Sequence, residues 1–552
     1  MENRAENIIR HCRERLAHME NVREAWEAVW DFIARRVEPK NACFQGDQGK
    51  GPQSAWRKFD STATSAIPKW ASAMDGLTTP KTQKWHGLAF TDKGLTERHK
   101  GWLEECTDIL FARRYAAESN FSNANFENLK SIGTYGSGAF SVSEDFRTGG
   151  CAYKAWPLRE FYVDCSFRGD IDVFYRKFRL SARQARQQFG ELCPGRITDC
   201  GDPAETFEFL HAIEPNADYD RHSHAARHKK YSSVYIWLEG NVLISEGGYD
   251  VCPFFYSRYD TMPSLQDPYG YSPLMLCMPE VKDLNAMVAN NLRVGSRLGN
   301  PTILLSEDDL LERRSFANGM IVPGGLDPNG RPRAAALELP ANLPFTAEMI
   351  RDFRAAVNET FNLNLFNILL DTGNMTATEV LQRAQEQATL LSPTTSRRES
   401  EFLSPLIKKE LEIAFERGAM PEPPPEVLEA VGSGDVGWMP VYESPIRRAQ
   451  KADEGTAVMR VLETAAALQQ WNPEVKNKIN SGRSLEIIAE AWGAPGKMFN
   501  TEEEQAAKDM KDAQLAQAQQ ILQAAPLIGK TAKDLAQAQQ LGSSAAALGG
   551  GQ

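Results

Sequence analysis

Apolar residues recur every three to four positions through much of residues 272 to 417, a spacing that predicts three long amphipathic helices. In the first, from Ser272 to about Leu298, the residues Val281, Leu284, Val288 and Leu292 form one stripe. Lys282, Asp283, Asn285, Asn290, Asn291 and Arg293 occupy the remaining face. Ser272-Pro273 sets a capping hydroxyl before a proline at the first helical position, where a missing N–H costs nothing, and Gly299-Asn300-Pro301 stops the helix. At ~1.5 Å per residue this is a rod of roughly 40 Å. The second helix, Thr346 to about Phe366, repeats the scheme with Ile350, Phe353, Val357 and Phe361. A Pro/Gly-rich insert separates the two. The third, from Thr376 toward Arg417, opens on the capping box Thr376-Ala377-Thr378-Glu379, with Met375 and Val380 as its hydrophobic staple. Pro393 and Pro405 fall inside it and predict a kinked or split helix.

The pattern elsewhere divides the chain further. Residues 1 to about 130 read as helical, with Ile8, Cys12, Met19, Val22, Trp26, Val29 and Ile33 as one apolar stripe and Thr107 to Leu129 as a later helix. From 131 to 260 the period shortens to that of strands: Ala139–Val142, Tyr153–Trp156, Phe161–Asp164, Ile171–Leu180, Thr206–Ile213, Val234–Glu239 and Val242–Ser245. Gly240-Asn241 predicts a two-residue hairpin turn, and Ser181 with Gln184 caps a short helix ending at Gly190. Beyond the loop MPEPPPEV, residues 446 to 552 return to helix, become rich in Ala and Gln, and carry LAQAQQ at 515–520 and 535–540. Two copies are too few for a solenoid. The last dozen residues are expected to be mobile.

Composition narrows the class. With 552 residues, 42% hydrophobic and 24% charged, the chain is expected to be globular with several cores. A formal net charge of −11 argues against a protein that grips nucleic acid over its whole surface. Nine cysteines with no CxxC pair fit reduced thiols. No stretch approaches 18 apolar residues, and MENRAENIIRHCRERL is too charged for a signal peptide, so a soluble intracellular product is expected.

Candidate chemistry is sparse. Gly133, Gly136 and Gly138 lack the GxGxxG spacing and precede a strand, which favours a tight turn over a phosphate cradle. Gly529-Lys530-Thr531 imitates the end of a Walker A loop, but Ala524 stands where its first glycine belongs. Asn367–Asp371 could mimic a Walker B strand and reads more simply as a helix end before an Asp-Thr-Gly-Asn turn. His211, His222, His224 and His228 cluster in sequence, the last three in the basic loop DRHSHAARHKK, which favours solvation over zinc. No catalytic residue, metal site or cofactor is expected.

Four phrases in order resemble the head-to-tail connector, or portal, family of short-tailed bacteriophages. They are FDSTATSAIPKWASAMDGLTTP (59–80), GTYGSGAFSVSED (133–145), DPYGYSPLMLCMPEVKDLN (267–285) and MTATEVLQRAQEQATLLSP (375–393). The resemblance spans roughly residues 1 to 445. It implies an α+β, mainly helical portal fold assembled as a ring, usually of twelve subunits, around a central channel at one capsid vertex. Residues 1–271 and 377–445 would form the wing, 272–299 and 345–366 the stem, 300–344 the clip, 367–376 the tunnel loop and 446–552 a helical crown. Double-stranded DNA would be packaged and ejected through the channel, with Asp371, Thr372, Gly373 and Asn374 facing it. An acidic lining would repel phosphate and keep DNA from becoming trapped. Val281, Leu284, Val288, Leu292, Phe353, Val357 and Phe361 would pack subunits together, and Arg313, Arg314, Arg331 and Arg333 would dock terminase or a tail adaptor. Capsid and scaffolding proteins are further implied partners, membrane is not, and the product would be made in the host cytoplasm and end in the virion. Two other classes stay open: another structural virion component such as an internal core or tail-tube protein, and a terminase-like enzyme, which needs the complete Walker A loop missing here.

Overall fold

A computed structural model describes residues 2–38, 58–145, 149–221, 223, 225–262, 267–300, 302–305, 326, 328–332, 334–336, 343–363, 391–433, 436–442, 445–469, 479–492, 508 and 510. The chain divides into two compact units, Met1–Ala449 and Gln450–Gln552.

The first unit begins with helix α1 (Glu2–Val37), which serves two cores. Its first half lays Ile9, Cys12, Leu16 and Met19 on one face of a five-stranded sheet, and its second half sends Trp26, Trp30, Ile33 and Val37 into a helical core. Arg23 marks the change: its guanidinium donates to the carbonyls of Phe161 (2.6 Å) and Arg159 (2.9 Å) and lies over the Tyr162 ring. Val22 and Val29, placed on the apolar stripe by spacing, are instead 40% and 43% exposed, because the core-facing stripe runs through Met19, Trp26, Trp30 and Ile33.

Next come α2 (Thr62–Thr78), β1 (His86–Phe90), α3 (Lys93–Arg98), α4 (Lys100–Arg114) and α5 (Phe121–Tyr135). The single helix expected over 107–129 is therefore two. Asn120 sits in the break and pins the backbone of Tyr153, accepting from its N–H at 3.1 Å. The strands β2 (Ser137–Glu144), β3 (Cys151–Trp156), β4 (Phe161–Cys165) and β5 (Ile171–Ser181) follow. Then come α6 (Ala182–Phe189), α7 (Gly195–Thr198), β6 (Thr206–Pro215), β7 (Tyr231–Trp237), β8 (Val242–Tyr249) and β9 (Phe254–Arg258). They form two antiparallel sheets, β4-β5-β6-β7-β8 and β3-β2-β9. Alternation divides the larger sheet. Val173, Tyr175, Leu210 and Ala212 meet α1, while Phe178, Phe207 and Phe209 meet α6 and Ile197 on the opposite face. The β7–β8 link is four residues long, 238–241, because the Leu238 amide bonds to Glu208 of β6 and its side chain is buried; Asn241 takes the left-handed conformation at φ 49°.

The chain then forms α8 (Pro273–Leu276), α9 (Met278–Gly299), the paired strands β10 (Ile303–Leu305) and β11 (Ala334–Ala336), and α10 (Leu343–Thr360). It ends the first unit with α11 (Ser404–Glu416), α12 (Pro425–Ser433) and β12 (Trp438–Tyr442). The first expected helix is split at Cys277, since Pro279 offers no N–H and its ring crowds the preceding turn. Strand β12 pairs antiparallel with β1, some 350 residues upstream, with Phe90 opposite Trp438. Helix α13 (Pro445–Gln469) runs into the second unit, whose other described helix is α14 (Ser481–Trp492).

Two polar clusters cross-link these elements. Arg114, fully buried at the end of α4, places its Nε 3.0 Å from Glu410 Oε1 on α11, and its Nη1 donates to His86 Nε2 at 2.9 Å. Tyr153 of β3 donates to the same carboxylate at 2.7 Å. Burial works against the guanidinium charge, but Glu410 outweighs it and raises the Arg114 pKa; burial and then Arg114 keep His86 neutral. The second cluster fixes the α9/α10 pair. The Asn285 side chain on α9 accepts the backbone N–H groups of Phe59 (2.8 Å) and Asp60 (3.1 Å), and Arg354 on α10 donates to Asp60 Oδ2 at 2.8 and 3.0 Å. Burial alone would raise the Asp60 pKa, but the Thr62 hydrogen bonds and Arg354 prevail and lower it.

Removing one partner from the buried pair strands the other: Glu410→Ala is expected to cost about 3–5 kcal/mol, read as a fall in thermal midpoint. The double variant Arg114→Met with Glu410→Leu should recover much of that loss; a double variant as unstable as the single one contradicts the assignment. Because the Asp60 carboxyl titrates lower in the folded chain, its contribution is complete above the unfolded value of 3.8 and is lost as pH falls through the folded value. Asp60→Asn should therefore lower stability by about 1 kcal/mol at neutral pH and have a shrinking effect below pH ~4 in thermal melts.

Candidate assembly and channel elements

The helices α9 and α10 leave the core as an antiparallel pair joined through β10 and β11. Burial falls along them. At the foot, Met278 and Leu284 on α9, Val357 on α10 and Phe361 just after it are 8%, 1%, 0% and 0% exposed. Val357 and Phe361 share a core with Leu274, Met278, Trp70 and Ile33, and Val281 packs against it. Val288 and Phe353 are half-buried, and Ala289 and Ile350 are the most distal buried positions of the two helices among the described residues. Beyond them Leu292 and Leu298 are 59% and 51% exposed, alongside Arg293 and Arg297. Of the seven positions expected to join subunits, Leu284, Val357 and Phe361 are thus filled by the chain's own core, and Leu292 is the one laid fully open. At the tip, Leu304 is also exposed, and Arg331 lies exposed within the turn closed by the Leu326–Pro332 bridge. Arg313, Arg314 and Arg333, together with Asp371, Thr372, Gly373 and Asn374, lie outside the described residues.

The pair is seated by an unusually close backbone approach. Gly136 ends α5 at φ 78°, and a Cβ there would meet the Gly270 carbonyl oxygen at 2.1 Å; one on Gly270 would meet the Gly136 oxygen at 2.3 Å. The two glycines bring residues 267–271 against the α5–β2 corner, where Tyr269 packs edge-on to Trp30 and Trp26 Nε1 donates to Asp267 at 2.8 Å. Ser272, fully buried, then caps α8 by accepting the Met275 N–H at 3.0 Å. Gly136, which spacing assigned to a turn, thus forms with Gly270 the contact on which the helix pair stands.

The third expected helix is described from residue 391. A helical stretch, 391–398, passes through a π-turn, Glu399–Leu403, into α11. Pro405 explains the turn: it cannot donate to residue 401, and the ladder shifts so that Ser404 N–H bonds to Glu399 O. Tyr442 of β12 donates to that same carbonyl at 3.2 Å. Freed by the bulge, the Glu401 carboxylate takes the Arg258 guanidinium at 2.6 and 3.0 Å and its backbone N–H at 2.9 Å. Just before it, Arg398 is buried against Asn125 and over Phe402, where burial, only partly offset by Asp75, lowers its pKa to about 10. The Arg258–Glu401 and Arg398–Asn125 pairs had no signal in the sequence, since each joins side chains more than 100 residues apart.

No catalytic arrangement emerges among the described residues. Among the described residues, no group of three or more His, Cys, Asp or Glu could hold a metal ion. His211 is buried, stacked on Tyr235 and 2.9 Å from Ser233 Oγ, with its pKa lowered to about 3 by burial and Arg176. His222, His224, Asn367–Asp371 and Gly529-Lys530-Thr531 lie outside the described residues. No helix among the described residues is long and apolar enough to cross a membrane.

Comparison with known proteins bears on these elements directly. The chain is 27% identical over 547 residues to the portal protein of Salmonella phage epsilon15, covering 94% of each chain. It is 27% identical over 497 residues to a probable portal protein of Bordetella phage BPP-1, covering 87% of this chain and 86% of that one. A solved chain from the neck of an empty GTA particle computed with C6 symmetry is similar over 72% of this chain and 85% of its own, at 12% identity and a TM-score of 0.32. Residues 10–499 match the family described as bacteriophage head to tail connecting protein. That match takes in most of α1, the two larger sheets, the α9/α10 pair and the π-turn, and the chain belongs to this family.

Proposed function

We propose that the chain is a portal subunit that assembles into a closed ring, with α8, α9 and α10 as the stem around a channel for double-stranded DNA. The observation that carries this reading is the gradient along α9: Met278 and Leu284 at its foot are buried in the chain's own core, whereas Leu292 and Leu298 in its distal half are uncovered, as is Leu276 of α8. A helix with the exposed Leu292 on one side and Arg293, Arg297 and Asn290 on others suits a neighbour on one face and a wet channel on another. Residues 300–344 serve as clip, 1–271 and 377–445 as wing, 446–552 as crown, and 367–376 as a tunnel loop facing DNA. Terminase and a tail adaptor dock on the clip, with Arg313, Arg314, Arg331 and Arg333 as its basic contacts. The ring sits at one vertex of the capsid and hydrolyses no nucleotide itself.

Mass photometry of the purified protein should resolve a species of about twelve times the 61.5 kDa chain, and ATP turnover should be absent. A stable monomer across micromolar concentrations contradicts the reading. Leu292→Asp should block the ring and leave the chain's own thermal midpoint unchanged. Phe361→Ala should lower that midpoint itself by about 3–5 kcal/mol of stability, because its ring fills the intrachain core. Deleting Asp371 to Asn374 should leave rings intact and impair retention of packaged DNA; normal packaging and retention removes the loop's role.

A further inference from the structure

We draw no further inference here: the strongest candidate, the cleft between the first turns of α1 and the β6-β7-β8 face of the larger sheet, carries none, because its Arg4 and Glu246, and its His11 and Glu214, already bond to each other and nothing in the structure shows what it would hold.

Discussion

The packing of Val357 and Phe361 against Leu274, Met278, Trp70 and Ile33 is the contact on which the rest of the molecule depends, because it makes a projecting helix pair part of the main core. A pair of helices of this length is marginal alone in water, and its order comes from tertiary packing at one end. The foot supplies that packing. Asn285 and the Arg354–Asp60 pair add polar contacts that fix its angle against the start of α2. The distal half is left with apolar residues that this chain does not cover, and the proposed ring is what covers them.

The foot is held in turn by elements that meet there from distant parts of the sequence. Gly136 and Gly270 allow two backbones to touch, Ser272 caps the helix that follows, and the aromatic set Trp26, Trp30 and Tyr269 fills the space around them. Below it, Arg114, Glu410, Tyr153 and His86 tie four elements through one buried charge pair. Such a pair contributes little net stability over apolar residues, but it penalises any arrangement that breaks it. Strand β12 and the π-turn before Pro405 complete this lower core, with Tyr442 satisfying the carbonyl that the bulge leaves.

Much of this was legible where the signal is local. The helices α9 and α10, the capped α6, the strands of the larger sheet and the kink at Pro405 follow from periodicity, capping residues and missing N–H groups. The phrases GTYGSG and DPYGYSP carried the family resemblance, and the structure gives their physical content, two glycines in mutual backbone contact. What was not legible depends on partners far along the chain. Strand β1 pairs with β12, Arg258 with Glu401, and Asp60 with Arg354, none of which has a periodic signature. The reading of α1 failed for a related reason: an apolar residue at helical spacing reports that a face is to be covered, not by what. Val22 and Val29 were assigned to the core and belong to a face that this core leaves bare.

The central claim is that one end of the α9/α10 pair is ordered by the chain's own core and the other by assembly. Amide hydrogen exchange compares the two ends directly, measured on the dissociated chain and on the assembled particle. The account predicts that amides of residues 281–289 and 354–360 are protected in both forms, whereas those of 292–299 exchange readily in the free chain and become protected only on assembly. Equal protection of 292–299 in the two forms would contradict it.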